Sequence, residues 1–184
     1  MRTHTIRLAK SLSVVIAAAS TTLIAIPAQA QSAEALECPR LEVSSSLRAL
    51  IRKDLTGQSS AAESEAVIDQ SVELTNRCIA RHGVVTDQSE AYGEYAFAVV
   101  AMDIAGETLT GAGVDVAVVN RIFDVGPGAA NDGNVEFDEP RIVALLDQGL
   151  APGTDIEAVP ESVWAMLGVY VAAAADYHTY RESR

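Results

Sequence analysis

The chain has 184 residues, of which 49% are hydrophobic and 5% aromatic, and its 13 Lys and Arg face 25 Asp and Glu for a formal net charge of −12. A chain of this length suits one domain that buries its own core. Its acidity repels phosphate backbones and anionic lipid, which makes nucleic acid and membrane surfaces poor partners and leaves a protein or a small cation.

Arg2, Arg7 and Lys10 precede SLSVVIAAASTTLIAIP, which is followed by Ala28-Gln29-Ala30, the layout of a secretory signal with an A-x-A cleavage site. The apolar run is shorter than the ~20 residues a membrane helix needs. Residues 1–30 therefore read as a cleaved signal peptide, with no stable membrane insertion afterwards and a periplasmic or secreted product. The remaining residues 31–184 form a single domain that keeps all the acids but loses three basic residues, so its charge is −15.

After a short polar leader, QSAEALE, Pro39 suits the first residue of a helix. Val43, Leu47, Leu50, Ile51 and Leu55 then recur at helical spacing. The turn TGQSS follows, and Ser60 with Glu63 forms a capping box before a stripe of Val67, Ile68, Val72, Leu74, Cys78 and Ile79 that Gly83 ends. A third helix runs from about Asp87 to Thr108 through Tyr92, Tyr95, Ala96, Val99, Val100, Met102 and Ile104. Two short helices, VDVAVVNRIF and PRIVALLDQ, flank an acidic loop. The last helix starts at Pro160 and lines up Val163, Met166, Leu167, Tyr170, Val171, Ala174 and Tyr177. Strand alternation is missing except for a short NVEF, so the expected architecture is all-α, a compact bundle of five to six helices.

Cys38 and Cys78 are the only cysteines. In an oxidising compartment they predict one disulfide. The 56–60 turn stands midway between them, so two antiparallel helices folded there bring the thiols together. Closing such a loop contributes roughly 4 kcal/mol in the chain-entropy account.

The loop between the short helices reads FDVGPGAANDGNVEFDE over residues 123–139. The segment 114–148 resembles an EF-hand. That family supplies oxygen ligands at alternate loop positions, a glycine at the sixth and a bidentate Glu at the twelfth. With Gly133 at the sixth, the resemblance places Asp132 at the fifth, Asn134 at the seventh, Glu136 at the ninth and Glu139 at the twelfth. Asp124 is then the first ligand, and VGPGAAN lengthens the loop. The resemblance implies one weak Ca2+ site built from Asp124, Asp132, Asn134, Glu136 and Glu139. Pro140 supplies a second reading of the same acids, since DEP also suits a helix start whose carboxylates face the N-terminal dipole.

His82 and His178 have no second ligand at helical spacing, and nucleophile or phosphate-loop motifs are missing. Asp103 falls within the apolar stripe of the third helix, where a carboxylate must be paired, hydrogen-bonded or protonated. It reads as a core contact to a Tyr hydroxyl or to an Arg such as Arg121, or else as the acid of an enzyme using a buried carboxylate. The sequence thus points to an exported, non-catalytic binding or structural module. A metal-free interaction bundle is the alternative, and an exposed apolar face on the last helix would be its sign.

Overall fold

The computed structural model describes residues 31–184 apart from 134–136, 155, 156 and 158. The expected signal peptide, Asn134, Glu136 and most of the NVEF bridge lie outside the described residues. Seven α-helices are present among them, not five to six: α1 (Ala33–Glu42), α2 (Ser45–Leu55), α3 (Ala61–His82), α4 (Ser89–Gly111), α5 (Val116–Phe123), α6 (Glu139–Gln148) and α7 (Glu161–Glu182), with a 3-10 turn at Thr86–Gln88.

The extra helix has a local cause. Ser32 caps α1 by accepting from the Ala35 N–H at 3.1 Å, so the supposed leader is helical and Pro39 sits inside a helix instead of starting one. Val43 and Ser44 then adopt extended conformations, and the Ser44 hydroxyl accepts from the Leu47 N–H at 3.1 Å to open α2. Serine competes for backbone bonds this way, which makes it a better cap than a helix interior.

Pro39 has no N–H to give the Ala35 carbonyl, the acceptor four residues back. The Tyr92 hydroxyl donates to that carbonyl at 2.7 Å, and the Tyr95 hydroxyl donates to Leu36 O at 2.8 Å. Both tyrosines are almost wholly buried, and through Tyr92 α4 supplies the donor that Pro39 cannot.

The capping box at Ser60 and Glu63 opens α3, and Gly83, at φ +66°, closes it. Cys78 of α3 bonds to Cys38 of α1 with Cα atoms 5.8 Å apart. α4 is the central element: α7 packs along it, and α1, α2, α3 and α5 contact it too. The core includes Val99, Ile104, Leu109, Phe123, Leu145 and Met166. Gly106 lets α4 and α7 approach closely, because a Cβ there would stand 3.3 Å from the Tyr170 ring.

α5 and α6 are tied at the ends away from their loop. Val114 and Leu150 form an antiparallel bridge, with Asp115 N–H donating to Gly149 O at 2.7 Å and Ala151 N–H to Gly113 O at 2.8 Å.

Candidate functional site

Within the acidic loop, Asp124 ends α5 in the left-handed region, at φ +53°, where Asp and Asn are the non-glycine residues that fit best. Its Oδ2 accepts from the Ala130 N–H at 3.3 Å, and its carbonyl accepts from the Asn131 N–H at 3.1 Å. Asn131 is 7% exposed. Its Oδ1 accepts from Gly126 N–H at 2.8 Å, while Nδ2 donates to the carbonyls of Gly126 at 2.9 Å and Ala129 at 3.1 Å. The VGPGAAN stretch is therefore a closed subloop built around one asparagine. α7 holds it from outside, through Glu182 Oε1 accepting from Gly128 N–H at 2.7 Å and Thr179 Oγ1 donating to Asn131 O at 3.4 Å.

Asp138 caps α6 by accepting from the Arg141 N–H at 2.9 Å, and Glu139 begins that helix in solvent. The carboxylate of Asp124 is thus turned to its own loop, and Glu139 stands where the helix dipole favours an acid. Asp132 is exposed. No three His, Cys, Asp or Glu among the described residues are grouped so that they could hold a metal ion.

Asp103 pairs with neither Arg121 nor a tyrosine. Arg40 of α1 grips it, Nε to Oδ2 at 2.8 Å and Nη2 to Oδ1 at 3.0 Å, while Nη1 donates to Glu37 Oε2 at 2.8 Å. Arg121 instead donates to Gln148 Oε1 at 3.1 Å, and the Tyr170 hydroxyl to Asn120 Oδ1 at 3.0 Å. The difference follows from α1, whose helical register brings Arg40 over α4. Asp103 holds the Arg40 guanidinium more firmly protonated than usual. Arg181 extends the network by donating to Glu37 at 3.3 Å and to the Tyr177 hydroxyl. Beside Asp103 lies a depression of about 450 Å³, which Glu107 and Tyr170 also line. Both carboxylate oxygens of Asp103 are thus taken up by Arg40.

The larger cavity lies elsewhere. A groove of about 980 Å³ runs between α4 and α7 on an uncovered side of both. At one end its floor is Ala98, Ala101 and Ala173, with Val169 and Leu55 packed beside them. At the other end stand Glu94, Asp176 and Arg184, with Tyr180 against the wall. Phe97 sits on the rim, 39% exposed. The Arg184 guanidinium lies over the Tyr180 ring, 4.7 Å from its centroid. Asp176 is open to solvent on one side, yet its partly desolvated position pushes its carboxyl above the ordinary value.

No protein family, no curated protein and no solved structure matches this chain. Its site must be read from its own residues.

The stripe of large residues at helical spacing on α4 and α7 forms the core. The groove uses a second stripe, Ala91, Glu94, Ala98 and Ala101 on α4 with Val169, Ala172, Ala173 and Asp176 on α7. The signal was there, since both helices are apolar nearly all round and such helices bury or bind on more than one face. Alanine hides it, being also the best helix former.

Proposed function

We propose that the chain is an exported, non-catalytic helical binding module, and that the α4–α7 groove is its ligand surface. The observation that carries this reading is the groove itself, an open cavity of about 980 Å³ with an apolar floor, within the size range of small-molecule sites. Ala172 and Val169 line the groove from the last helix, and an apolar outer face there is also the sign expected of the alternative, an interaction bundle. A disulfide suits an oxidising compartment, and among the described residues no helix is long and apolar enough to cross a membrane. The neutral fluorophore N-phenyl-1-naphthylamine tests the reading. It should brighten on binding the protein, and Ala172→Trp, which fills the groove from an exposed position, should abolish the signal. No brightening, or brightening that the Trp leaves unchanged, removes the groove as the ligand surface.

A weak calcium site in the loop is the second reading. It draws support from Asp176, whose Oδ1 stands 3.8 Å from the Cβ position of Gly133 and so brings one more hard oxygen near the half of the loop that resembles an EF-hand. Millimolar calcium should then raise the melting temperature, and the shift should vanish in Asp132→Ala/Glu139→Ala. An equal shift in that variant ends this reading.

A further inference from the structure

We propose that the α4–α7 groove binds an aliphatic cation, with its hydrocarbon chain on the alanine floor and its ammonium group held between Glu94 and Asp176. This rests on the groove being the ligand surface and adds the chemistry of what lies there.

The groove is divided along its length. α4 and α7 run antiparallel, since Tyr92 meets Tyr180 while Gly106 meets Tyr170. Residues 98 and 101 of α4 and 169 to 173 of α7 therefore share one end, which is wholly apolar. Glu94 and Asp176 fall in the other half. Among the described residues neither carboxylate has an ion-pair partner. Among the described residues Arg184 is the one cation lining the groove, and its charge is directed onto the Tyr180 ring. An apolar trough that opens into two unneutralised carboxylates matches an amphiphile with a positive head.

Other occupants fit less well. A fatty acid or an anionic detergent would set its head against Glu94 and Asp176 on a chain of net charge −12. The separation of the two halves also sets a length. From Asp176 to Val169 is about 10 Å at about 1.5 Å of rise per residue, the reach of an extended chain of about eight carbons.

The test is displacement of N-phenyl-1-naphthylamine from the purified protein by decyltrimethylammonium, decyl sulfate and decyl maltoside. All are kept below their micellar concentrations in about 150 mM salt, where the Debye length is about 8 Å and general attraction to an acidic surface is screened. Decyltrimethylammonium should displace the dye at a concentration about tenfold lower than the other two. Glu94→Gln/Asp176→Asn should remove that advantage, while Glu65→Gln/Asp69→Asn, which changes net charge equally on the exposed side of α3, should preserve it. Butyltrimethylammonium should displace poorly. If the dye binds but the three decyl compounds displace it alike, or if both double variants behave alike, the cation assignment is overturned while the ligand surface stands. If the dye does not bind, the underlying reading fails first. If light scattering finds a dimer that Ala172→Arg converts to monomer, the groove is a contact between copies and the assignment is likewise overturned.

Discussion

Tyr92 donates its hydroxyl to the Ala35 carbonyl, the acceptor that Pro39 leaves without an N–H. The bond lies inside the core, so removing the hydroxyl strands a buried carbonyl at a cost of about 1–3 kcal/mol. Tyr92→Phe should therefore destabilise the protein by that amount in urea unfolding. Pro39→Ala restores the helical donor, so adding Tyr92→Phe to it should cost distinctly less. Equal costs in the two backgrounds would show that the tyrosine does not replace the missing N–H.

Arg40 and Asp103 form a two-pronged pair across α1 and α4. Lysine keeps the charge but has no fork. Arg40→Lys should lose about 1–2 kcal/mol of stability, the range for one charge-assisted hydrogen bond. A double-mutant cycle of Arg40→Met with Asp103→Leu should give a coupling energy of the same order. Coupling near zero would mean that the pair is solvated in practice.

Asn131 makes three side-chain hydrogen bonds from a buried, left-handed position. Asn131→Asp replaces the Nδ2 donor by an oxygen facing the Gly126 and Ala129 carbonyls. It should cost at least about 2 kcal/mol, more than Asp124→Asn, which leaves an acceptor in place. The comparison can be made by thermal melting. If the two variants melt alike, the asparagine does not organise the loop.

His178 gives a pH dependence. Burial pushes its imidazole below the ordinary value of 6.5, against the raising influence of Glu182. The unfolded chain therefore takes up this proton at a higher pH than the folded one. The stability that His178 contributes is complete above 6.5 and falls as pH drops through that value. The protein should unfold more easily at pH 5.5 than at pH 7.5, and His178→Asn should narrow the difference. Asp176, shifted upward, acts in the opposite sense at lower pH, favouring the fold most when protonated. A pH profile between 5.5 and 7.5 that His178→Asn leaves unchanged would remove the assignment.

Elements with a local signature were readable in the sequence. The Ser60–Glu63 box and Gly83 bound α3 where expected, Pro160 stands immediately before α7, and the Cys38–Cys78 bond formed between antiparallel segments. The remaining features depend on neighbours distant in sequence. The break at Ser44 turns on a choice between two conformations that a stripe of Val and Leu cannot report. Arg40 reaches Asp103 only because residues 33–42 are helical, although QSAEALE looked like a leader. In the acidic loop, attention to carboxylates passed over Asn131, a neutral residue whose importance comes from being enclosed. The groove is not legible in the sequence because alanines carry little hydrophobic weight individually, and only the pairing of two helices brings them into one floor.

The fastening of α1 has a consequence for the order of assembly. A polypeptide leaves the ribosome N-terminus first, so α1 is made before anything that holds it. Its disulfide partner comes 40 residues later, the tyrosine hydroxyl that meets Leu36 59 later, the carboxylate that takes Arg40 63 later, and the arginine that reaches Glu37 144 later. The earliest helix in the described chain thus depends on partners made after it, and Leu36 and Cys38 stay unshielded until α3 and α4 have arrived.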